Sequence, residues 1–281
     1  MANGSFTLET EHGIICITDT ALKSDLPALL LIHGNSSSSK IWRHILESEA
    51  VNTKYRIIAF DLPGHGASSN APDPDKTYSM RGYADLAVHI LQHLSVEEVV
   101  VFGWSLGGHI GIEMVPLLAQ TPISMKGLMI TGTPPALGIG QTSKGFLFED
   151  VHMGMAARKD LTEDDIISFT RGVAGEAKYE DWMEADVRRC DGRSRFLMWK
   201  KFGEGVGVNQ VKVVEETDVL IAVVNGGAEP FVNLDYLDAI KWGNLWEGKC
   251  LRIPDEGHAP FWEGPEEFEK VLLKFLADAS K

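Results

Sequence analysis

Cysteine is scarce in this chain, and the three present, Cys16, Cys190 and Cys250, are odd in number and far apart. That excludes a disulfide framework as well as the paired spacing of a zinc site or a dithiol redox centre. They read as small apolar residues in a reducing compartment. Basic residues are also in short supply: 26 Lys and Arg against 40 Asp and Glu leave a formal charge of −14. This is the wrong sign for a protein whose affinity rests on phosphate backbones, so no nucleic-acid partner is expected. No apolar run approaches the roughly 20 residues that span a bilayer, so no membrane association is expected. The opening stretch MANGSFTLETEHG has neither a basic start nor an apolar segment, which points away from a secretory signal and toward the cytoplasm. Internal repeats and low-complexity linkers are missing too. The densest turn chemistry, NAPDPD at 70–75, is a polar loop too short to divide domains.

What is present alternates. Residues 5–18 alternate in polarity around His12-Gly13 and predict a β-hairpin. ALLLI at 28–32 is a continuous apolar run of the kind a strand buried on both faces needs; it ends in His33-Gly34-Asn35 and a serine cluster before a helical stretch from about Lys40. The unit repeats as a strand at 55–60, the loop DLPGHG, an amphipathic helix at 78–94 and a strand at 96–102. Another strand is predicted at 127–130, and two more at 219–224 and 249–253 before a final helix. Such alternation implies an α/β fold with a mostly parallel sheet flanked by helices. Between the strands at 127–130 and 219–224 the rhythm changes to helix-like segments rich in Met, Phe and Trp. That stretch is too long for an ordinary connection. The expected organisation is a core of 1–135 and 215–281 carrying an inserted helical cap at 136–214.

Chemistry concentrates at the strand ends. In VVVFGWSLGGHIGIEM, 99–114, Ser105 sits between glycines where a buried strand runs into a helix. A sharp strand-to-helix turn needs small neighbours and leaves the apex hydroxyl exposed, with helix N-terminal amides aimed at it; this is the layout of a nucleophile elbow. A serine needs a base, and the base needs an acid to hold its tautomer. His258 in DEGHAP and Glu229 in NGGAEP each follow a predicted strand, and their chain order Ser, acid, His is that of α/β hydrolases. Asp235, Asp238, Asp255 and Glu256 compete for the acid role; Glu229 is preferred because it ends the loop directly after a strand and Pro230 stiffens its approach. The oxyanion donors expected are the backbone amides of Leu106 and Asn35. His89 and His93 stand four apart on a helix but lack the glutamate a zinc protease requires, so no metal is assigned. His65 reads as a turn residue. In the cap, Met153, Met155, Phe169, Trp182, Phe196, Met198 and Trp199 are candidates to line an apolar pocket.

Taken together, HGNSSSS, DLPGHG, GWSLGGHIGIEM, ITGTPP, NGGAEPFV, GNLWEGK and GHAPF resemble, over nearly the full length, the metal-independent N-acyl-homoserine lactonases of the α/β-hydrolase fold. The shorter motifs occur in many hydrolases. The extended blocks, with glutamate where most relatives carry aspartate, are more specific. The resemblance implies an α/β-hydrolase fold, triad roles for Ser105, Glu229 and His258, and contacts from Asn35 and Trp104 to the lactone and amide of a small-molecule acyl lactone. It further implies a substrate tunnel between core and cap, ring opening through an acyl-enzyme, and no cofactor. The His-x-His-x-Asp-His run of metallo-lactonases does not occur in the chain. Ser105 at the elbow excludes the aspartate-dependent dehalogenases and epoxide hydrolases. A carboxylesterase acting on simple esters and a small-molecule receptor on the same fold remain the alternatives.

Overall fold

The computed structural model describes residues 4–175 and 178–281. The ALLLI run forms strand β3 (Ala28–Ile32), buried on both faces. Its alternate residues serve two cores: Leu30 and Ile32 pack on one side of the sheet with Val99 and Val101, Leu29 and Leu31 on the other with Val100 and Phe102. Helices Met80–His93 and Leu106–Leu118 cover the first side, and helix Pro265–Ala279 covers the second. Each such fully buried Leu or Val contributes about 1.5–3 kcal/mol from water exclusion, which is why a strand here must be apolar at every position.

Eight strands make one sheet in the order β1-β2-β4-β3-β5-β6-β7-β8. They are β1 (Gly4–Thr10), β2 (Gly13–Asp19), β3, β4 (Ile57–Phe60), β5 (Glu98–Trp104), β6 (Ser124–Thr131), β7 (Leu220–Gly226) and β8 (Leu251–Ile253). The hairpin β1/β2 and the β2/β4 pair are antiparallel, and β4-β3-β5-β6-β7-β8 are mutually parallel. Parallel pairing points the C-terminal ends of β3, β5, β6, β7 and β8 the same way, so the loops after them meet on one side. One boundary differs from expectation in a way that matters. β5 does not stop at Phe102; Gly103 and Trp104 stay in register with Ile130 and Thr131 of β6. The strand therefore carries its order up to Ser105.

Between β6 and β7 the described residues form helices only: Gly138–Gly145, Val151–Met155, Glu163–Ala174, Asp181–Arg189, Gly192–Gly203 and Gln210–Glu216. Local signals start several of them, among them a Thr162/Asp165 capping box and an Asp191 cap. The segment is tied to the core loops by polar contacts. Asn35 Nδ2 donates to Ala156 O (2.9 Å), Arg195 Nη1 to Ser36 Oγ (3.2 Å), Tyr78 Oη to Asp191 Oδ2 (2.7 Å), and Arg43 pairs with Glu180 at 2.6 Å. Among the described residues no helix is long and apolar enough to cross a membrane.

Candidate active site

Ser105 occupies φ +54°, ψ −116°, a left-handed conformation that costs a non-glycine residue about 1–3 kcal/mol. The surroundings impose it. A Cβ on Gly103 would lie 2.2 Å from Gly107 O, and one on Gly107 would lie 1.9 Å from Ile32 O, so the turn closes only with glycine at both places. The strained backbone is held by Ser105 N donating to Thr131 O (2.7 Å) and by Thr133 Oγ1 donating to Ser105 O (2.8 Å). Helix Leu106–Leu118 then begins immediately, with its first amides turned to the same loop.

The loops after β7 and β8 bring Glu229 and His258 together. His258 Nδ1 lies 2.9 and 2.8 Å from the two carboxylate oxygens, and Glu229 Oε1 also accepts from the Phe231 amide at 2.8 Å. Both side chains are buried, so the carboxylate depends on these donors in place of water. The competing acids are elsewhere: Asp235 and Asp238 face Arg252, and Asp255 is exposed in a left-handed turn. Among the described residues no hydrogen bond or ion pair joins Glu256 to His258.

Three further residues shape the histidine. Glu263 accepts from the amides on either side of it, Gly257 N at 3.0 Å and Ala259 N at 2.8 Å, while burial raises the Glu263 pKa. Trp104 Nε1 donates to the His258 carbonyl at 2.9 Å. Gly132, at φ +65°, lies so close that a Cβ would sit 2.5 Å from His258 Cε1. Sequence reasoning missed Glu263 and Gly132. The only local trace of Glu263 is an acid five residues after the histidine, behind Pro260.

Ser105 and His258 line one cavity together with Asn35, Trp104 and Leu106. No hydrogen bond joins Ser105 to His258, a looseness common before substrate is present. Among the described residues neither the Asn35 nor the Leu106 backbone amide donates to a protein acceptor. The Asn35 side chain is held in place by one Nδ2 bond to Ala156 O and by Oδ1 accepting from Ser36 Oγ (3.3 Å), which leaves its main-chain N–H and the second Nδ2 hydrogen as donors for a ligand. Trp104 is 1% exposed with its N–H committed to His258. It therefore offers a ligand its ring and no hydrogen bond.

The apolar candidates divide. Met153, Phe169, Met198 and Trp199 line the cavity, joined by Phe146, which sequence reasoning did not single out. Met155 packs in a separate cluster with Ile166 and Val187, Trp182 packs on Trp262, and Phe196 is 47% exposed. Helical periodicity showed an apolar face in each case; only packing decides which neighbour it meets. His65 is buried beside Pro63 O (3.1 Å) and does not line the cavity. Among the described residues no three His, Cys, Asp or Glu side chains gather as a metal-ligating group.

The geometry has parallels in known proteins. The α/β hydrolase fold family matches residues 27–175. The structure of the N-acyl homoserine lactonase AidH in complex with N-butanoyl homoserine is 47% identical with a TM-score of 0.92, covering 99% of this chain and 98% of that one. A serine-to-glycine mutant of AidH in complex with N-hexanoyl homoserine lactone is 46% identical with the same TM-score of 0.92 and the same coverage, 99% and 98%. The pimeloyl-[acyl-carrier protein] methyl ester esterase of Yersinia pseudotuberculosis serotype IB (strain PB1/+) is 24% identical over 262 residues, 90% of this chain and 94% of that protein. The magnesium-chelatase 30 kDa subunit of Rhodobacter capsulatus is 31% identical over 134 residues, 48% of this chain and 43% of its own length.

Proposed function

Because the chain belongs to the α/β hydrolase fold family and, within it, to the N-acyl homoserine lactonases that AidH represents, we propose that it opens the ring of N-acyl homoserine lactones by serine catalysis. The observation that carries this reading is the full-length likeness to AidH. AidH itself is seen with the opened N-butanoyl homoserine, and its serine-to-glycine mutant with an unopened lactone.

In the mechanism we infer, Glu229 holds the His258 proton on Nδ1, which leaves Nε2 as a base. Ser105 Oγ attacks the ring carbonyl as its proton passes to Nε2. The oxyanion that forms is met by the amides of Asn35 and Leu106. Collapse breaks the ring C–O bond; the departing alkoxide takes the proton from His258 and stays tethered as a free hydroxyl on the acyl-enzyme. A water then gives its proton to His258 and attacks the ester carbon, and Ser105 leaves with that proton. The product is the open N-acyl-homoserine. Residues 136–214 act as the cap over this site, and their cavity-lining side chains receive the acyl chain. The free state of all three cysteines agrees with work in the reducing cytoplasm.

Mass spectrometry of N-hexanoyl-homoserine lactone after incubation tests the reading. The expected result is gain of one water by the wild-type protein and none above background by Ser105→Ala, with a serine-directed phosphonate adding its mass to the peptide that contains Ser105. Brisk hydrolysis of short aryl esters without ring opening would make the protein a carboxylesterase instead. No turnover of either substrate class would overturn the lactonase reading and leave the receptor alternative standing.

A further inference from the structure

The wall of the cavity is apolar over most of its surface, which makes the few polar atoms away from the triad informative. His109 follows Ser105 by four residues, and its backbone amide reaches Ser105 O at 3.3 Å, so its side chain stands one helical turn from the nucleophile on the same face. It is 3% exposed and lines the cavity. Burial pulls its pKa down to about 4, so the ring is neutral at neutral pH.

The tautomer follows from its partner. His109 Nδ1 lies 2.7 Å from Gln210 Oε1. That oxygen also accepts from the Ala136 amide at 3.4 Å, while Gln210 Nε2 faces Met80 Sδ at 3.5 Å, which fixes which end of the amide meets the histidine. An oxygen opposite Nδ1 places the imidazole proton there and leaves Nε2 a bare acceptor. Among the described residues no protein group takes it up.

Trp199, from helix Gly192–Gly203, lines the same cavity, and its Nε1–H is buried with no acceptor among the described residues. The two rings flank the same pair of phenylalanines. Phe146 lies 5.9 Å from His109 and 5.2 Å from Trp199, and Phe202 lies 4.9 and 6.0 Å from them. An unmade buried hydrogen bond is costly, and a ligand that satisfies it removes the cost. Two lining residues of an otherwise greasy cavity thus carry a bare acceptor and an idle donor.

We propose that His109 Nε2 and Trp199 Nε1–H form a hydroxyl-recognition subsite, and that the preferred substrates carry a hydroxyl on the third carbon of the acyl chain. The proposal rests on the lactonase reading above. A hydroxyl donates to His109 and accepts from Trp199 at once. A keto oxygen uses only Trp199, and a methylene uses neither. The spacing agrees: about five covalent bonds, roughly 6 Å, separate the reacting ring carbonyl from that carbon, against about 5–6 Å between side chains one turn apart on a helix.

The test compares kcat/KM for homoserine lactones with unsubstituted, 3-oxo and 3-hydroxy hexanoyl chains on the wild-type protein, His109→Asn and Trp199→Phe. The wild type should prefer the hydroxyl form over the unsubstituted one by roughly 5- to 10-fold. His109→Asn keeps an N–H toward Gln210 and removes Nε2, so it should erase most of the preference for hydroxyl over keto. Trp199→Phe keeps the ring packing and should lower both substituted substrates relative to the plain one. Equal rates on all three chains in the wild type, a hydroxyl-over-keto preference undiminished in His109→Asn, or substituted-to-plain ratios unchanged in Trp199→Phe, overturns the subsite. Failure of the wild type to open any lactone counts against the lactonase reading instead.

Discussion

Glu229 and His258 show how much a single carboxylate can be asked to do. Its two oxygens hold one imidazole N–H and one backbone amide while the side chain is fully buried. Glu229→Gln keeps the shape but sets an amide N–H against His258 Nδ1, so the wrong tautomer is favoured and kcat should fall roughly 10²- to 10⁴-fold. Asp255→Asn, at an exposed turn, should leave kcat nearly unchanged. The reverse ranking would move the acid to Asp255. A second buried carboxylate acts on stability. Glu113 is 1% exposed, and burial lifts its pKa from 4.5 to about 7 although both oxygens accept from Val208 N at 3.0 and 3.2 Å. The folded protein therefore holds this proton more tightly than the unfolded chain. The contribution of this group is full while both states are protonated, below about pH 4.5, and is lost as pH rises toward about 7, by about 3 kcal/mol. Glu113→Gln keeps an acceptor for Val208 and escapes that loss. Its urea midpoint should exceed that of the wild type at pH ~8, with the gap shrinking at pH ~5; an equal gap at both would show that Glu113 does not titrate in this window.

At the scale of elements, the site depends on how closely the elbow approaches β3. Helix Leu106–Leu118 starts one residue after β5 ends, and Gly107 passes so near that a Cβ would meet Ile32 O at 1.9 Å. Backbone cannot yield as a flexible side chain can. Gly107→Ala should cost about 2–4 kcal/mol and displace Ser105, lowering activity along with thermal stability. Gly140, in helix Gly138–Gly145, has open space at its Cβ position. Gly140→Ala should leave activity intact and raise stability by up to about 1 kcal/mol. Thermal melts of the two variants separate a glycine required by close approach from one that is merely present.

At the scale of the whole molecule, parallel pairing of β3, β5, β6, β7 and β8 gathers residues from across the chain into one cavity, with helical residues such as Met153 and Met198 facing them. In the proposed mechanism activation comes from side chains and main-chain amides: His258 for the nucleophile, Asn35 and Leu106 for the oxyanion. No described group of His, Cys, Asp and Glu is arranged to hold a metal. Prolonged treatment with a chelator should leave lactone opening unchanged. Loss of activity restored by added zinc or manganese would overturn a purely serine mechanism.

The strand-helix rhythm, the elbow at Ser105 and the histidine at 258 were legible in the sequence because each is a local signal. Apolar runs, glycines beside a turn and a histidine after a strand report short-range geometry that few residues determine. The choice of Glu229 over four other acids was only favoured by its position; the hydrogen bonds to His258 separate them in space. The supporting residues were not legible. Glu263 grips the histidine loop only because the short helix Pro260–Glu263 turns back on it, and Gly132 matters only because β6 and β8 bring their loops together. Trp104 shows the limit from the other side: sequence places an indole beside the nucleophile, but tertiary packing gives its N–H to the His258 carbonyl and leaves a ligand the ring alone. Likewise one apolar periodicity put Met155 and Met198 on equal footing, and the packing of their helices placed the first in a separate cluster and the second in the cavity wall. Local pattern determines which face is buried; only the packing of elements distant in the chain decides what that face meets.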